Sequence, residues 1–152
     1  MAAAGSTDVL VVANGGRGDV SCWGGLLSLG ASRRGIRGVI VDGACRDVDE
    51  ARELGFPVFA RATTPPTARG RLRQVTAGEP VRVGEVSVCP GDVVLVDETG
   101  VAVVPCDHAE EVLSAAQRLV GREQAIAAQL RAGSSLPEAM RDARLAGTEE
   151  VS

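Results

Sequence analysis

Arg46 and Asp47 stand side by side at the end of Gly38-Val-Ile-Val-Asp-Gly-Ala-Cys-Arg-Asp47, and no other pair in this chain is better suited to chemistry. Val39 to Asp42 read as the end of a buried strand, Gly43 as the turn after it, and Val48 onward as a short helix. A guanidinium offers a planar, permanently charged donor fork for a carboxylate or an enolate oxygen. An aspartate beside it offers hard oxygen ligands for Mg2+ or Mn2+. The same pair is also consistent with a surface ion pair capping the helix, so the local pattern leaves both readings open. Cys45 adjoins the pair and reads first as a buried thiol, second as a reactive one.

Composition narrows the chemistry. All 16 basic residues are arginine, so a lysine Schiff base, pyridoxal phosphate chemistry and a Walker-type phosphate loop are excluded. With no tyrosine there is no phenolic acid or base, and with His108 as the one histidine a multi-His metal site cannot form within one chain. Any metal must then be held mainly by carboxylates and water, which favours Mg2+ or Mn2+ over Zn2+. The net charge of −4 argues against a nucleic-acid partner. No apolar run is long enough for a membrane span, and the first residues lack the basic and apolar regions of a signal peptide. Cys22, Cys45, Cys89 and Cys106 form no CxxC pair and read as buried thiols of a cytosolic chain, not as disulfides or zinc ligands.

The elements that must position Arg46 and Asp47 follow from periodicity. The 152 residues fit one domain with a core of Val, Leu and Ala. Val9 to Ala13 reads as a strand, and Asn14 to Asp19 as a glycine-rich loop. Cys22 to Arg34 reads as a helix that presents Leu26, Leu27 and Ala31 on one face and stops at Gly35. Val39 to Val41 is a strand, Val48 to Leu54 a helix ended by Gly55, and Val58 to Ala60 a strand. This alternation predicts parallel pairing with helical crossovers. After the Thr63 to Gly70 loop, valine-rich strands are predicted at Leu72 to Val75, Val81 to Val83, Val86 to Cys89, Val93 to Val96 and Val101 to Val104, forming a meander or small barrel-like sheet. Asp107 is expected to cap a long helix to about Ala132, and Ser135 a short one to about Leu145, followed by frayed polar residues. On the long helix, Val112, Ala116, Leu119, Val120, Ile126 and Leu130 form an apolar stripe. Glu123 falls on that stripe. It lies either at the stripe's edge, paired with Arg118 or Arg122, or as a carboxylate turned toward a metal or other partner.

Several ordered motifs carry a resemblance: Cys22-Trp-Gly-Gly-Leu-Leu27, Gly38 to Asp47, Leu54-Gly-Phe-Pro-Val-Phe-Ala60, Pro90-Gly-Asp-Val-Val-Leu-Val-Asp97 and Gly100-Val-Ala-Val-Val-Pro105. Together, from about Asp8 to Gly133, the chain resembles the RraA-like / 4-hydroxy-4-methyl-2-oxoglutarate (HMG) aldolase family. The resemblance implies an α/β fold, a three-layer β/β/α sandwich of the swivelling-domain type with a long C-terminal helix. It implies one RraA-like domain over residues 1–152, with a core of about 8–133 and without the helix and strand that usually open family chains. It implies a homotrimer or hexamer with sites between subunits.

For activity, the resemblance implies a divalent-metal-dependent lyase that acts on a small 2-oxo acid. Pyruvate would be released by retro-aldol cleavage of HMG-type substrates and by decarboxylation of oxaloacetate. Arg46 would contact substrate and steady the enolate oxygen. Asp47 would hold the Mg2+ or Mn2+ largely through water. The N–H groups of Gly24, Gly25 and Leu26 would receive the pyruvyl carboxylate. Glu123 would reach a neighbouring subunit's metal shell. With no pocket His or Lys available, a metal-associated water would be the base. Two departures matter: Gly25 stands where aldolase members often carry Asp or Glu, and Ala13 where an Asp is common. The family also contains non-catalytic regulators that inhibit a ribonuclease by protein binding, and Gly25 is closer to those.

Overall fold

The computed structural model describes residues 4–145, with side chains to 141. It divides into two compact units, Met1–Cys106 and Asp107–Ser152. The polar C-terminal residues expected to fray lie outside the described range.

In the first unit, β1 (Val9–Trp23), β2 (Gly38–Cys45) and β3 (Val58–Thr63) form a three-stranded sheet in the order β1-β2-β3. Both pairings are parallel. Between them run α1 (Gly25–Arg33) and α2 (Val48–Glu53), as the alternating pattern predicts. Every residue of β2 is buried, so this central strand is flanked on both faces. Its alternation separates two sets of side chains. Val39, Val41 and Cys45 join Trp23, Ala31, Ile36 and Phe56 in the hydrophobic core. The rings of Trp23 and Phe56 stack with centroids 6.2 Å apart, and the indole N–H of Trp23 donates to Ser28 Oγ at 2.9 Å. Asp42 is also buried, and it is compensated by Arg61 of β3 and by the Gly84 N–H.

Four expectations change here. The glycine-rich segment after Ala13 is not a free loop but a continuation of β1. Gly15 and Gly16 take φ of 60° and 70°, which lets the strand bulge outward before it returns to pair Ser21 with Ala44 and Trp23 with Cys45. The next helix therefore begins at Gly25, not Cys22. Its buried face is Gly25, Ser28 and Ala31, whereas Leu26 is 81% exposed and Leu27 38%. Finally, β2 does not turn at Gly43 but runs on to Cys45, which moves the turn to Arg46 and Asp47.

The valine-rich half forms two separate antiparallel hairpins, not one meander. β4 (Val81–Val83) pairs with β5 (Val86–Val88), and β6 (Val93–Val96) with β7 (Val101–Val104). Leu72 to Val75 is irregular instead of a strand; Gly70 and Gly78 bracket a polar stretch with no partner edge.

The second unit contains α3 (Ala109–Arg131) and α4 (Leu136–Leu145). α3 follows a 3-10 turn, Cys106–His108, and its cap residue is His108, not Asp107. Ser135 does cap α4: its N–H and hydroxyl both donate to Glu138, at 3.0 and 2.6 Å, which holds that carboxyl below its ordinary range. The expected stripe on α3 is open, with Val112, Leu119 and Val120 each at least 40% exposed.

Candidate active site

The tail of β2 is fixed from both sides. The Arg46 N–H donates to the Trp23 carbonyl at 3.0 Å, and the Thr64 N–H donates to the Cys45 carbonyl at 2.9 Å. Asp47 then leaves the strand in the left-handed region, φ 57° and ψ 42°. Among the described residues it is the one non-glycine with positive φ. Aspartate is among the few side chains that tolerate this conformation.

That backbone turn aims the carboxylate away from its own helix. Asp47 makes no side-chain cap to α2, so the simple capping reading fails. Its Oδ2 instead accepts the Gly25 N–H at 3.0 Å, at the first turn of α1. Arg46 Nη1 lies 3.4 Å from the Asp47 carboxylate, a loose contact between side chains 38% and 26% exposed. Such a pair adds little stability and leaves guanidinium donors available to a ligand.

Gly24 and Gly25 permit this close approach. A Cβ on Gly24 would sit 2.9 Å from Asp47 Oδ2 and 3.1 Å from Arg46 Cγ. A Cβ on Gly25 would fall on the Glu50 carboxylate and 3.3 Å from Asp47 Cβ. The two glycines therefore form a cradle whose wall is Arg46, Asp47 and Glu50. The α1 terminus adds the Leu26 amide and the positive end of its dipole, which suit an anion, while the Leu27 N–H already donates to the Gly24 carbonyl at 3.1 Å. Of the three expected amides, that of Gly25 is engaged by Asp47, and that of Leu26 belongs to the open first turn.

Beside the pair lies a shallow cleft of about 320 Å³, lined by Arg46, Asp47, Val48, Thr63, Thr64 and Pro65. The loop that forms its far wall is tied to β1, because both the N–H and the hydroxyl of Ser21 donate to the Pro66 carbonyl at 2.9 Å. A second hollow, lined by Asp42, Arg61 and apolar strand side chains, shares no residue with it. Cys45 is buried, and that burial pushes its thiol above the ordinary cysteine value; it is a core residue rather than a nucleophile.

The structure thus brings together Gly24, Gly25, Leu26, Arg46 and Asp47. Glu123 lies in the second unit on an exposed face of α3, and the ion pairs among the described residues include none to Arg118 or Arg122. Sequence reasoning missed Glu50 and the Thr63–Pro65 wall. Glu50 was detectable in principle, since it follows Asp47 at the three-residue spacing that places two side chains on one helix face.

The donor set bears on a metal. Among the described residues no three His, Cys, Asp or Glu side chains converge as a metal-binding group. The Asp47 and Glu50 carboxylates bordering one glycine cradle are hard oxygen donors. They fit a magnesium-type ion that keeps most of its water and takes one or two protein carboxylates.

Comparison with known proteins places the chain. The RraA-like family model, described as Aldolase/RraA, matches residues 1–103. Protein DlpA of Legionella pneumophila is 33% identical over 134 residues, covering 88% of this chain but 22% of DlpA. A 4-hydroxy-4-methyl-2-oxoglutarate aldolase of Thermus thermophilus is 37% identical over 102 residues, 66% of this chain and 61% of that one. Among solved structures, an uncharacterised protein from Pseudomonas syringae superposes with a TM-score of 0.87 at 31% identity, covering 90% of this chain and 68% of that one. RraAS2 of Streptomyces coelicolor, described as an unusual member of the RNase ES inhibitor RraA family, gives 0.72 at 35% identity, covering 82% and 62%. The fold is mixed α/β, and the chain belongs to the RraA-like family. It spans less than two thirds of the length of DlpA and of the Thermus aldolase.

Proposed function

We propose that this chain is a divalent-metal-dependent lyase that releases pyruvate. The reactions are retro-aldol cleavage of 4-hydroxy-4-methyl-2-oxoglutarate-type substrates and decarboxylation of oxaloacetate. One observation carries the reading: Arg46 and Asp47, turned out of the β2 terminus, face the open first turn of α1 across two glycines. Relatives named for HMG aldolase activity support it.

Each group has a task in this reading. Asp47, with Mg2+ or Mn2+ bound, holds the cation; when bound, the cation polarises the 2-oxo group of the substrate. Arg46 donates to the oxygen that gains charge as the carbon–carbon bond breaks, and so stabilises the pyruvate enolate. The α1 terminus, through Leu26 and its neighbours, orients the pyruvyl carboxylate. Both reactions share these steps because both leave the same enolate, which then takes a proton. Glu123 completes the site from a neighbouring subunit of a homotrimer or hexamer. A cytoplasmic location belongs to the same reading.

The test is a lactate-dehydrogenase-coupled assay on HMG and on oxaloacetate, with Mg2+ and after chelation. Metal-dependent pyruvate release is the expected result. Its absence on both substrates favours the second reading, a non-catalytic RraA-like regulator that acts by protein binding. Gly25 and the likeness to RraAS2 are the observations on that side.

A further inference from the structure

Asp92 holds two stretches of chain with one carboxylate. Its Oδ2 accepts the Cys89 N–H at 2.8 Å, and its Oδ1 accepts the Cys106 N–H at 3.2 Å. The Asp92 N–H donates back to the Cys89 carbonyl at 3.2 Å and closes the Cys89–Asp92 turn. In that turn Gly91 takes φ of 96°, and a Cβ on it would lie 4.0 Å from the Cys106 Cβ. Cys106 therefore stands against the turn that Cys89 opens. Both thiols are exposed, whereas Cys22 is partly buried and Cys45 buried. Disulfides span roughly 4–7 Å between Cα atoms, and two backbones bound to the two oxygens of one carboxylate lie at that scale.

We propose that Cys89 and Cys106 form a redox-responsive dithiol, closed to an intramolecular disulfide by a low-molecular-weight disulfide. One cysteine thiolate attacks a sulfur of the oxidant, R–S–S–R, and expels R–S⁻, leaving a mixed disulfide. The second thiolate attacks the protein sulfur of that intermediate, forms the Cys89–Cys106 bond and expels another R–S⁻. The two leaving thiolates take up the two protons the cysteines lose, so two electrons pass from the protein to the oxidant. Asp92 is a positioning residue. It holds both backbones in place before the bond forms, which raises the effective concentration of one thiol at the other. Cys89 follows β5 and Cys106 follows β7, strands of separate hairpins, so the bond ties one hairpin to the other. An exposed disulfide is of the labile, readily reduced kind, so the state of the pair follows the thiol poise around the chain. None of the three residues lines the Arg46–Asp47 cleft, and the inference is independent of the lyase reading.

The test equilibrates the full chain in buffers of graded reduced-to-oxidised glutathione ratio. Thiols are then quenched with N-ethylmaleimide, and each cysteine is read by peptide mass spectrometry. Wild type should pass reversibly from fully reduced to a Cys89–Cys106 disulfide, with Cys22 and Cys45 unchanged. Cys106→Ser should stop at a mixed disulfide between Cys89 and glutathione, and Cys89→Ser at the same adduct on Cys106. Asp92→Ala, its fold checked by circular dichroism, should need a more oxidising buffer and should accumulate the mixed disulfide. Asp92→Asn, which keeps one acceptor oxygen, should fall between it and wild type. Persistent glutathione adducts on both cysteines of wild type, disulfides between chains, or no oxidation across the range would overturn the proposal. Transitions in both Asp92 variants that coincide with wild type would overturn the positioning role of Asp92.

Discussion

At the scale of single residues, Asp47 combines two demands. Its carboxylate must reach Gly25, and its backbone must stay left-handed. The choice of variant follows from that. Asp47→Ala confounds the two, because alanine at positive φ adds a penalty of roughly 1–2 kcal/mol to the loss of charge. Asn accepts the same conformation and can still receive the Gly25 N–H. Asp47→Asn is therefore expected to fold and melt like wild type and to lose metal-stimulated pyruvate release by two to three orders of magnitude, roughly the effect of removing one electrostatic stabiliser. Coupled assay and melting curve together check it; full activity with Mg2+ present would reject the assignment. Cysteine chemistry gives a second test. Cys45 is buried with its thiol pushed up, as expected, whereas Cys89 and Cys106, expected to be buried, are exposed. Iodoacetamide at neutral pH should modify Cys89 first and Cys45 only on unfolding, read by peptide mass spectrometry.

At the scale of elements, the site depends on β2 staying in register between its neighbours. The core holding it includes the Trp23–Phe56 stack, which joins the end of β1 to the connection between α2 and β3. Phe56→Ala should cost about 3–5 kcal/mol, the usual range for a buried aromatic, and should appear as a lower urea midpoint. The βαβαβ order and parallel pairing were legible because β2 and its helices follow simple periodicities, bounded by Gly35 and Gly55. Three features were not. Gly43 reads as a turn signal, but pairing with Arg17 of β1 keeps it in the strand, so tertiary pairing overrode local preference. Leu26 and Leu27 looked like core by composition, yet the helix packs through Gly25, Ser28 and Ala31 because Asp47 and Trp23 approach it closely. The left-handed Asp47 gives no sequence signal apart from being one of the residue types that permit it.

At the scale of the whole molecule, the open apolar stripe of α3 is the feature still to be accounted for. Val112, Leu119 and Val120 are exposed, and Glu123 lies among them. Exposed apolar surface rimmed by charge marks a contact between molecules. The expectation is a trimer or a multiple of it in analytical ultracentrifugation, with Glu123 of one subunit serving another's Arg46–Asp47 site. Glu123→Gln should keep the assembly and lose most activity. Mixing it with Asp47→Asn protomers, with exchange verified, should restore part of the activity, since some interfaces then hold both native groups. A mixture as inactive as either parent would confine Glu123 to its own chain.

The two hydrogen bonds that hold the end of β2 also make the site a reporter of its own occupancy. The Arg46 and Thr64 amides are locked into neighbouring backbone, whereas the Leu26 amide opens a helix and has no acceptor among the described residues. In deuterium exchange the first two should be replaced only when the sheet opens, and the third almost at once. A pyruvate-like anion with Mg2+ should slow Leu26 and leave Arg46 unchanged. One protected amide would then reveal which end of the ligand is gripped, before any turnover is measured.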